Sequence, residues 1–214
     1  MSRTVQLPRA VLFDLLTALL DSWSLWDSVA GSIERGRAWR SAYLQLTYGC
    51  GDYRPYEELV AEAAARTGLP VRVTDQLVER WSELSPWSGV REVLGRLAGQ
   101  TRLGVVTNCS RQLGALAAAR IPGVSWDCVV TAEEAGAYKP DPRPYRLALA
   151  RLGVTAAETA FVAGSAYDLA GTAVTGLATY WHNRAGLPPY PGAPPAAIES
   201  PTLDALPGWL EAPP

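Results

Sequence analysis

The chain opens its pattern at Ala10–Phe13, a short run in which every position is apolar. Such a run reads as a strand buried on both faces, and Asp14 ends it. From Leu15 to about Ser85 the apolar positions recur at helical spacing. Three segments stand out, Leu15–Val29, Ile33–Tyr48 and Tyr56–Arg66; the last sets Glu57, Glu58 and Glu62 against a run of alanines. A fourth, Thr74–Leu84, opens on a threonine suited to an N-cap and ends before Pro86. Beyond Pro86 helices and strands alternate. Gly89–Leu97, Arg111–Arg120, Pro142–Leu152 and Tyr167–Val174 read as helices, the last two stopped by Gly153 and Gly176. Arg102–Thr107, Cys128–Thr131, Thr159–Ala163 and Ala178–Trp181 read as strands, the last of them closing the sheet.

Strands alternating with helices imply parallel βαβ units with right-handed crossovers. The expected fold is therefore α/β, a Rossmann-like parallel sheet core with an inserted all-helical cap. Residues 1–14 and 86–214 form the core, and residues 15–85, placed after the first strand, form the cap. The tail after Arg184 carries Pro188, Pro189, Pro191, Pro194 and Pro195 and then one short helix near Leu203–Leu210. It reads as an extended strap over the core.

Length fits one domain with an insert, since 214 residues bury roughly 70% of the unfolded surface. The formal charge of −2 leaves no basic footprint for nucleic acid or for a membrane surface. No apolar stretch approaches the ~20 residues of a membrane span, and the N-terminus has no secretory pattern. Three cysteines, Cys50, Cys109 and Cys128, are too few for a disulfide framework, lack metal-ligand spacing and fit a cytoplasmic protein. A single histidine, His182, excludes histidine metal clusters and argues against a Ser-His-Asp triad. GxSxG, GxGxxG and Walker-type phosphate loops do not occur. The chemistry left is that of carboxylates assisted by Lys and Arg.

Polar residues gather at four strand ends or loops: Asp14, Thr107-Asn108, Lys139 in Ala137-Tyr138-Lys139-Pro140-Asp141-Pro142, and Asp168 after Ala163-Gly164-Ser165. A doubly wound sheet brings such positions to one edge. Their order, together with Lys139-Pro140-Asp141-Pro142 and Tyr145 six positions after the lysine, resembles the haloacid dehalogenase superfamily over nearly the whole chain. Most of that superfamily are magnesium phosphatases with a second acid two positions after the first and an acidic pair in the fourth motif. Here those positions hold Leu16 and Gly164. Magnesium needs carboxylates together with substrate phosphate oxygens. Without it a phosphate dianion meets Asp14 as like charge, at about 4 kcal/mol for one pair of unit charges about 4 Å apart at an effective dielectric of about 20.

The closer resemblance is to the metal-free branch, the L-2-haloacid dehalogenases. Thr107-Asn108 resembles its Ser-Asn motif, Trp39-Arg40 its cap Trp-Arg, and Trp181-His182-Asn183-Arg184 its final W-x-N-R. The resemblance implies that Asp14 attacks the alpha carbon of a small 2-substituted carboxylate and that water then hydrolyses the aspartyl ester, with no metal or other cofactor. It gives Lys139 the balancing of Asp14 and Asp168, Asp168 the activation of water, and Arg40 and Asn108 the departing group. Thr107, Leu15, Leu16, Tyr145, Ser165 and Trp39 are expected around the substrate. Trp23, Trp26 and Trp39 fall in the cap, where each either packs between its helices, the commoner role, or lines a small dry pocket. A homodimer is allowed. Leu16, Thr17-Ala18 and Ala163/Ser165 depart from the branch, so three other readings stay open. These are ring opening of an azetidine-2-carboxylate type substrate, a magnesium-dependent phosphatase, and a non-catalytic binding protein.

Overall fold

A computed structural model describes residues 7–48 and 50–211. Its centre is a six-stranded sheet in the order β3-β2-β1-β4-β5-β6, every neighbouring pair parallel. The strands are β1 (Ala10–Phe13), β2 (Arg102–Thr107), β3 (Cys128–Thr131), β4 (Thr159–Ala163), β5 (Ala178–His182) and β6 (Ile198–Ser200). β1 and β4 are completely buried, as continuous apolar runs in a sheet covered on both faces must be. The order reverses between β1 and β4, and the crevice beyond their carboxyl ends is where such sheets bind ligands. Asp14 stands there.

Ten helices run as α1 (Ser22–Ala30), α2 (Ile33–Tyr48), α3 (Tyr56–Arg66), α4 (Arg72–Glu79), α5 (Val90–Leu97), α6 (Arg111–Ala118), α7 (Ala132–Ala135), α8 (Pro142–Leu152), α9 (Ala166–Thr175) and α10 (Leu206–Glu211). Helices α1–α4 pack on one another around Trp26, Trp39, Tyr43 and Tyr56, whose rings meet at 4.4–5.5 Å between centroids. Trp26 and Trp39 thus pack inside this helical block, the commoner role of large aromatics, and neither lines the pocket. The same apolar cluster continues through Trp81 and Leu113 to Val11 and Phe13 of the sheet. Where the helical block leaves and rejoins the sheet its two connections are stitched together. The Asp21 N–H donates to the Ser85 carbonyl (2.8 Å), and the Trp87 N–H to the Leu19 carbonyl (2.9 Å).

Four local expectations change. Leu15–Asp21 is a tight turn and not helix; α1 starts at Ser22, where Asp21 caps it by accepting from the Ser24 N–H at 3.0 Å. Thr74 lies inside α4, which begins at Arg72, and its buried hydroxyl has no partner in the structure. α7, a single turn capped by Thr131, stands between β3 and α8. The sheet does not end at β5, because the tail returns as β6 beside Tyr180–His182.

Candidate active site

The turn after β1 is shaped around one carboxylate. The Asp14 N–H extends the β4 ladder by donating to the Val162 carbonyl at 2.9 Å. Leu19 and Leu20 then donate back to the Leu15 carbonyl, which closes the turn. Closing it aims three donors at Asp14 Oδ2: the Thr17 N–H (2.8 Å), the Thr17 hydroxyl (2.5 Å) and the Ala18 N–H (3.1 Å). Gly164 makes this possible from the other side. A Cβ on it would lie 2.2 Å from Thr17 Oγ1 and 2.3 Å from the Ala18 nitrogen, so any side chain there displaces the turn.

Asp14 Oδ1 receives the Lys139 ammonium at 2.7 Å, and the same Nζ lies 2.8 Å from Asp168 Oδ1. Lys139 is aimed by its own backbone. Asn108 accepts the Lys139 N–H at 2.7 Å through Oδ1 and donates through Nδ2 to the Lys139 carbonyl at 3.0 Å. Asp168, in the first turn of α9, accepts the Tyr145 hydroxyl at 3.1 Å. The Tyr145 ring fits because α9 has Gly171 there, whose Cβ would lie 2.4 Å from the ring.

All three charged groups are at least 94% buried, yet they differ. Burial drives the Asp14 carboxyl upward, but Lys139 and the Thr17 donors overcome it and hold the pKa below the usual carboxylate value. Asp168 has fewer donors and faces the charge of Asp14, so burial wins and its pKa is raised. Burial pushes the Lys139 ammonium down, but the two carboxylates outweigh it, and its pKa lies above the ordinary one. The triad carries two negative charges and one positive.

The fourth charge comes from the helical block. Arg40 of α2 is 5% exposed, and burial lowers its pKa to about 10, which leaves it charged at neutral pH. Its Nη1 donates to Ser22 Oγ at 2.6 Å, the Ser22 hydroxyl donates to the Leu16 carbonyl, and its guanidinium lies 4.1 Å over the Trp23 ring. Among the described residues no carboxylate pairs with it. Asp14, Lys139, Asp168, Arg40 and Asn108 all line one cavity of about 50 Å³, as do Leu16, Ser165 and Trp23. The four charges on the wall sum to zero, but Lys139 already lies between both carboxylates, so Arg40 is the one cation placed to face a guest anion.

Other expected contacts are absent from that wall. Thr107 is wholly buried with its hydroxyl 3.8 Å from Cys109 Sγ. Leu15 belongs to the apolar core. Trp39 donates its ring N–H to the Val60 carbonyl at 2.9 Å inside the helical block. Tyr145 reaches Asp168 rather than the cavity. Conversely Tyr43, Thr47, Tyr48 and Tyr167 line the cavity without having been singled out, and Thr17, noted in the sequence only as a departure from the branch, lines it too.

The donor set also bears on magnesium. Among the described residues Asp14 and Asp168 are the only carboxylates on the cavity wall, and an ammonium already lies between them. The space above Gly164 is filled by the Thr17-Ala18 turn. Among the described residues no group of three or more His, Cys, Asp or Glu side chains is arranged to hold a metal. The site does not fit a hard divalent cation that needs several oxygen ligands.

Residues 9–176 match the family of haloacid dehalogenase-like hydrolases. The chain is 33% identical over 198 residues to (S)-2-haloacid dehalogenase 4A of Burkholderia cepacia, covering 85% of each protein. It is 30% identical to (S)-2-haloacid dehalogenase 1 of Pseudomonas sp. strain CBS-3 over 220 aligned residues, 94% of this chain and 96% of that one. A crystal structure of a dehalogenase with an intermediate complex superposes with a TM-score of 0.83 at 28% identity, across 97% of this chain and 99% of its own. The strand order, the Asp14-Lys139-Asp168 arrangement and these likenesses agree, and the chain belongs to the haloacid dehalogenase-like hydrolase family.

Proposed function

We propose that this protein is a metal-independent 2-haloacid dehalogenase that hydrolyses small (S)-2-haloalkanoates to the 2-hydroxy acids. The observation that carries this reading is the opposition of two groups across one small cavity. Asp14 is buried, ionised and fixed from four directions, and Arg40 is buried, charged and unpaired with acid. Residues 15–85 serve as a cap that supplies Arg40 to a core of residues 1–14 and 86–214. The relatives named above are (S)-2-haloacid dehalogenases, which supports the substrate class.

The two oxygens of Asp14 are unequal, and this divides the labour. Oδ2 accepts three hydrogen bonds and Oδ1 only the Lys139 contact. The less encumbered Oδ1 attacks C2 of the substrate, an Asp14 ester forms, and the halide departs with the C2–halogen electron pair toward Arg40 and the second N–H of Asn108. Back-side attack inverts C2. Water, activated by Asp168, then adds to the ester carbonyl carbon. The negative charge develops on Oδ2, where the Thr17 and Ala18 N–H groups and the Thr17 hydroxyl already point, so the donors that held the carboxylate stabilise the oxyanion. Asp168 takes the proton from that water, collapse breaks the Cγ–Oδ1 bond, Asp168 returns the proton to Oδ1 as the 2-hydroxy acid leaves, and the water oxygen stays on Asp14, whose carboxyl ionises again.

A ring-amine leaving group would need a proton as it departs. Among the described residues the carboxyl groups on the wall, Asp14 and Asp168, both sit against the Lys139 ammonium and are held as its partners, so the cavity favours a halide. We place the enzyme in the cytoplasm, where three free cysteines persist; among the described residues no helix is long and apolar enough to cross a membrane. The test is stoichiometric. Incubation with (S)-2-chloropropionate is expected to release chloride and (R)-lactate one to one, unaltered by EDTA. No chloride release, or release abolished by chelator, contradicts the reading.

A further inference from the structure

The Pro-rich strap runs from β5 to β6 and on the way meets residues of the active-site cavity wall. At its start Asn183 Nδ2 donates to the Leu187 carbonyl (2.9 Å) and to Glu199 (2.6 Å), while Oδ1 accepts the Leu187 N–H (2.9 Å). At its end the Ala197 N–H donates to the Thr179 carbonyl at 2.8 Å, leading into β6. Between the anchors, Tyr190-Pro191-Gly192-Ala193 closes a turn with the Ala193 N–H on the Tyr190 carbonyl (3.0 Å). Gly192 has φ +84°, so proline and glycine occupy the second and third positions that a type II turn favours.

That turn delivers the Tyr190 ring onto two others. It stacks on Tyr167 (centroids 5.4 Å, 26° between planes) and meets Tyr48 edge-on (6.0 Å, 67°), and Tyr48 meets Tyr167 in the same way (5.6 Å, 67°). Tyr48 ends α2 in the helical block, Tyr167 lies in the first turn of α9, and both line the cavity. Burial, reinforced by Tyr48, pushes the Tyr190 phenol up to about 12, so its ring stays neutral. Charge lies deep, at Asp14, Lys139, Asp168 and Arg40, whereas the outermost wall is uncharged and aromatic.

We propose that Tyr48, Tyr167 and Tyr190 form a collar that limits the chain length of the acids this site accepts, with Tyr190 contributed by the strap. The proposal rests on the dehalogenase reading. With C2 held at Asp14 and the carboxylate in the charged floor, carbons beyond C3 must run into these rings. Tyr190 is a specificity-determining residue: it touches the rings of the wall and not the reacting atoms.

The experiment compares kcat/KM for 2-bromohexanoate and 2-bromopropionate, which share a leaving group. Tyr190→Ala is expected to raise the long-to-short ratio by about 10-fold or more, on the scale at which a pocket discriminates methylenes. Tyr190→Phe, which keeps the ring, is expected to retain the wild-type ratio. Tyr48→Ala, at a half-exposed helix end, opens the same mouth and substitutes if Tyr190→Ala does not fold. An unchanged ratio in the folded alanine variant overturns the collar. If the wild-type protein turns over neither acid, the dehalogenase reading fails, and the collar is read by calorimetry as the Kd ratio of hexanoate to propionate. The same shift supports it, and no shift overturns it.

Discussion

Asp14, Lys139 and Asp168 were legible as residues because each ends or follows a recognisable strand or precedes a helix, and a parallel sheet leaves such positions only one place to meet. Thr107 was misjudged for a reason equally local. Successive strand residues face opposite sides, and Thr107 shares the face of Val105, turned toward Cys109, while Asn108 just beyond the strand reaches the site. Thr17 stands out in the sequence only as a departure from the branch, because its hold on Asp14 depends on a turn that no periodicity announces. It yields a sharp prediction: Thr17→Val removes one donor to the oxyanion but leaves the nucleophile. Ester hydrolysis is expected to slow by about 10²-fold, with the alkylated protein accumulating in intact-mass spectra. Loss of turnover without any adduct contradicts this role.

The pH profile belongs to the same scale. Asp14 stays ionised below the usual carboxylate range, so it does not set the acid limb. Asp168 must be ionised to activate water, and its pKa is raised above 3.8 by burial and by Asp14. Activity therefore falls as pH drops through the Asp168 value. Tyr145 donates to Asp168 and favours its charged form, so Tyr145→Phe is expected to move the acid limb of ester hydrolysis, read in single turnover, to higher pH. A limb that stays in place, or moves down, removes Tyr145 as the residue that tunes Asp168.

At the scale of elements the long helices and buried strands were readable, because α2, α3, α8 and the strands β1, β2 and β4 carry an uninterrupted period. The exceptions are elements made by partners. Leu15–Asp21 has helical spacing, but its Thr17 and Ala18 N–H groups are claimed by Asp14 and its Asp21 N–H by the Ser85 carbonyl. β6 has three residues amid prolines, too few for a pattern, and exists because β5 offers it an edge. The packing of β4 against the Asp14 turn also decides what the family's usual acid would do. Gly164→Asp puts Cβ into Thr17 and Ala18. It is expected to lower stability by about 1–3 kcal/mol, as overpacking does, and to confer no magnesium-dependent phosphatase activity. Denaturant unfolding and phosphate release from p-nitrophenyl phosphate check both. A stable variant with magnesium-dependent activity contradicts the account.

Across the whole molecule, β5 and the Asp14 turn are joined by the one histidine. His182 is 1% exposed, with Nδ1 2.7 Å from the Ala18 carbonyl, the residue whose N–H holds Asp14. Burial lowers its pKa below 6.5 despite that bond. A group depressed in the folded state contributes stability above its unfolded value and loses it as pH falls through the folded one. Thermal stability is expected to decline as pH is lowered from 6.5, and His182→Gln to flatten that decline while lowering stability at neutral pH. An identical slope in the variant assigns the acid sensitivity elsewhere.

The central claim is that Asp14 itself bonds to carbon and is restored by water. Single turnover of (S)-2-chloropropionate with excess enzyme in oxygen-18 water reads this directly. One labelled oxygen is expected in the peptide containing Asp14, and unlabelled lactate hydroxyl in the product. Label in lactate with none in Asp14 would mean that water attacks C2 itself, and would contradict the account.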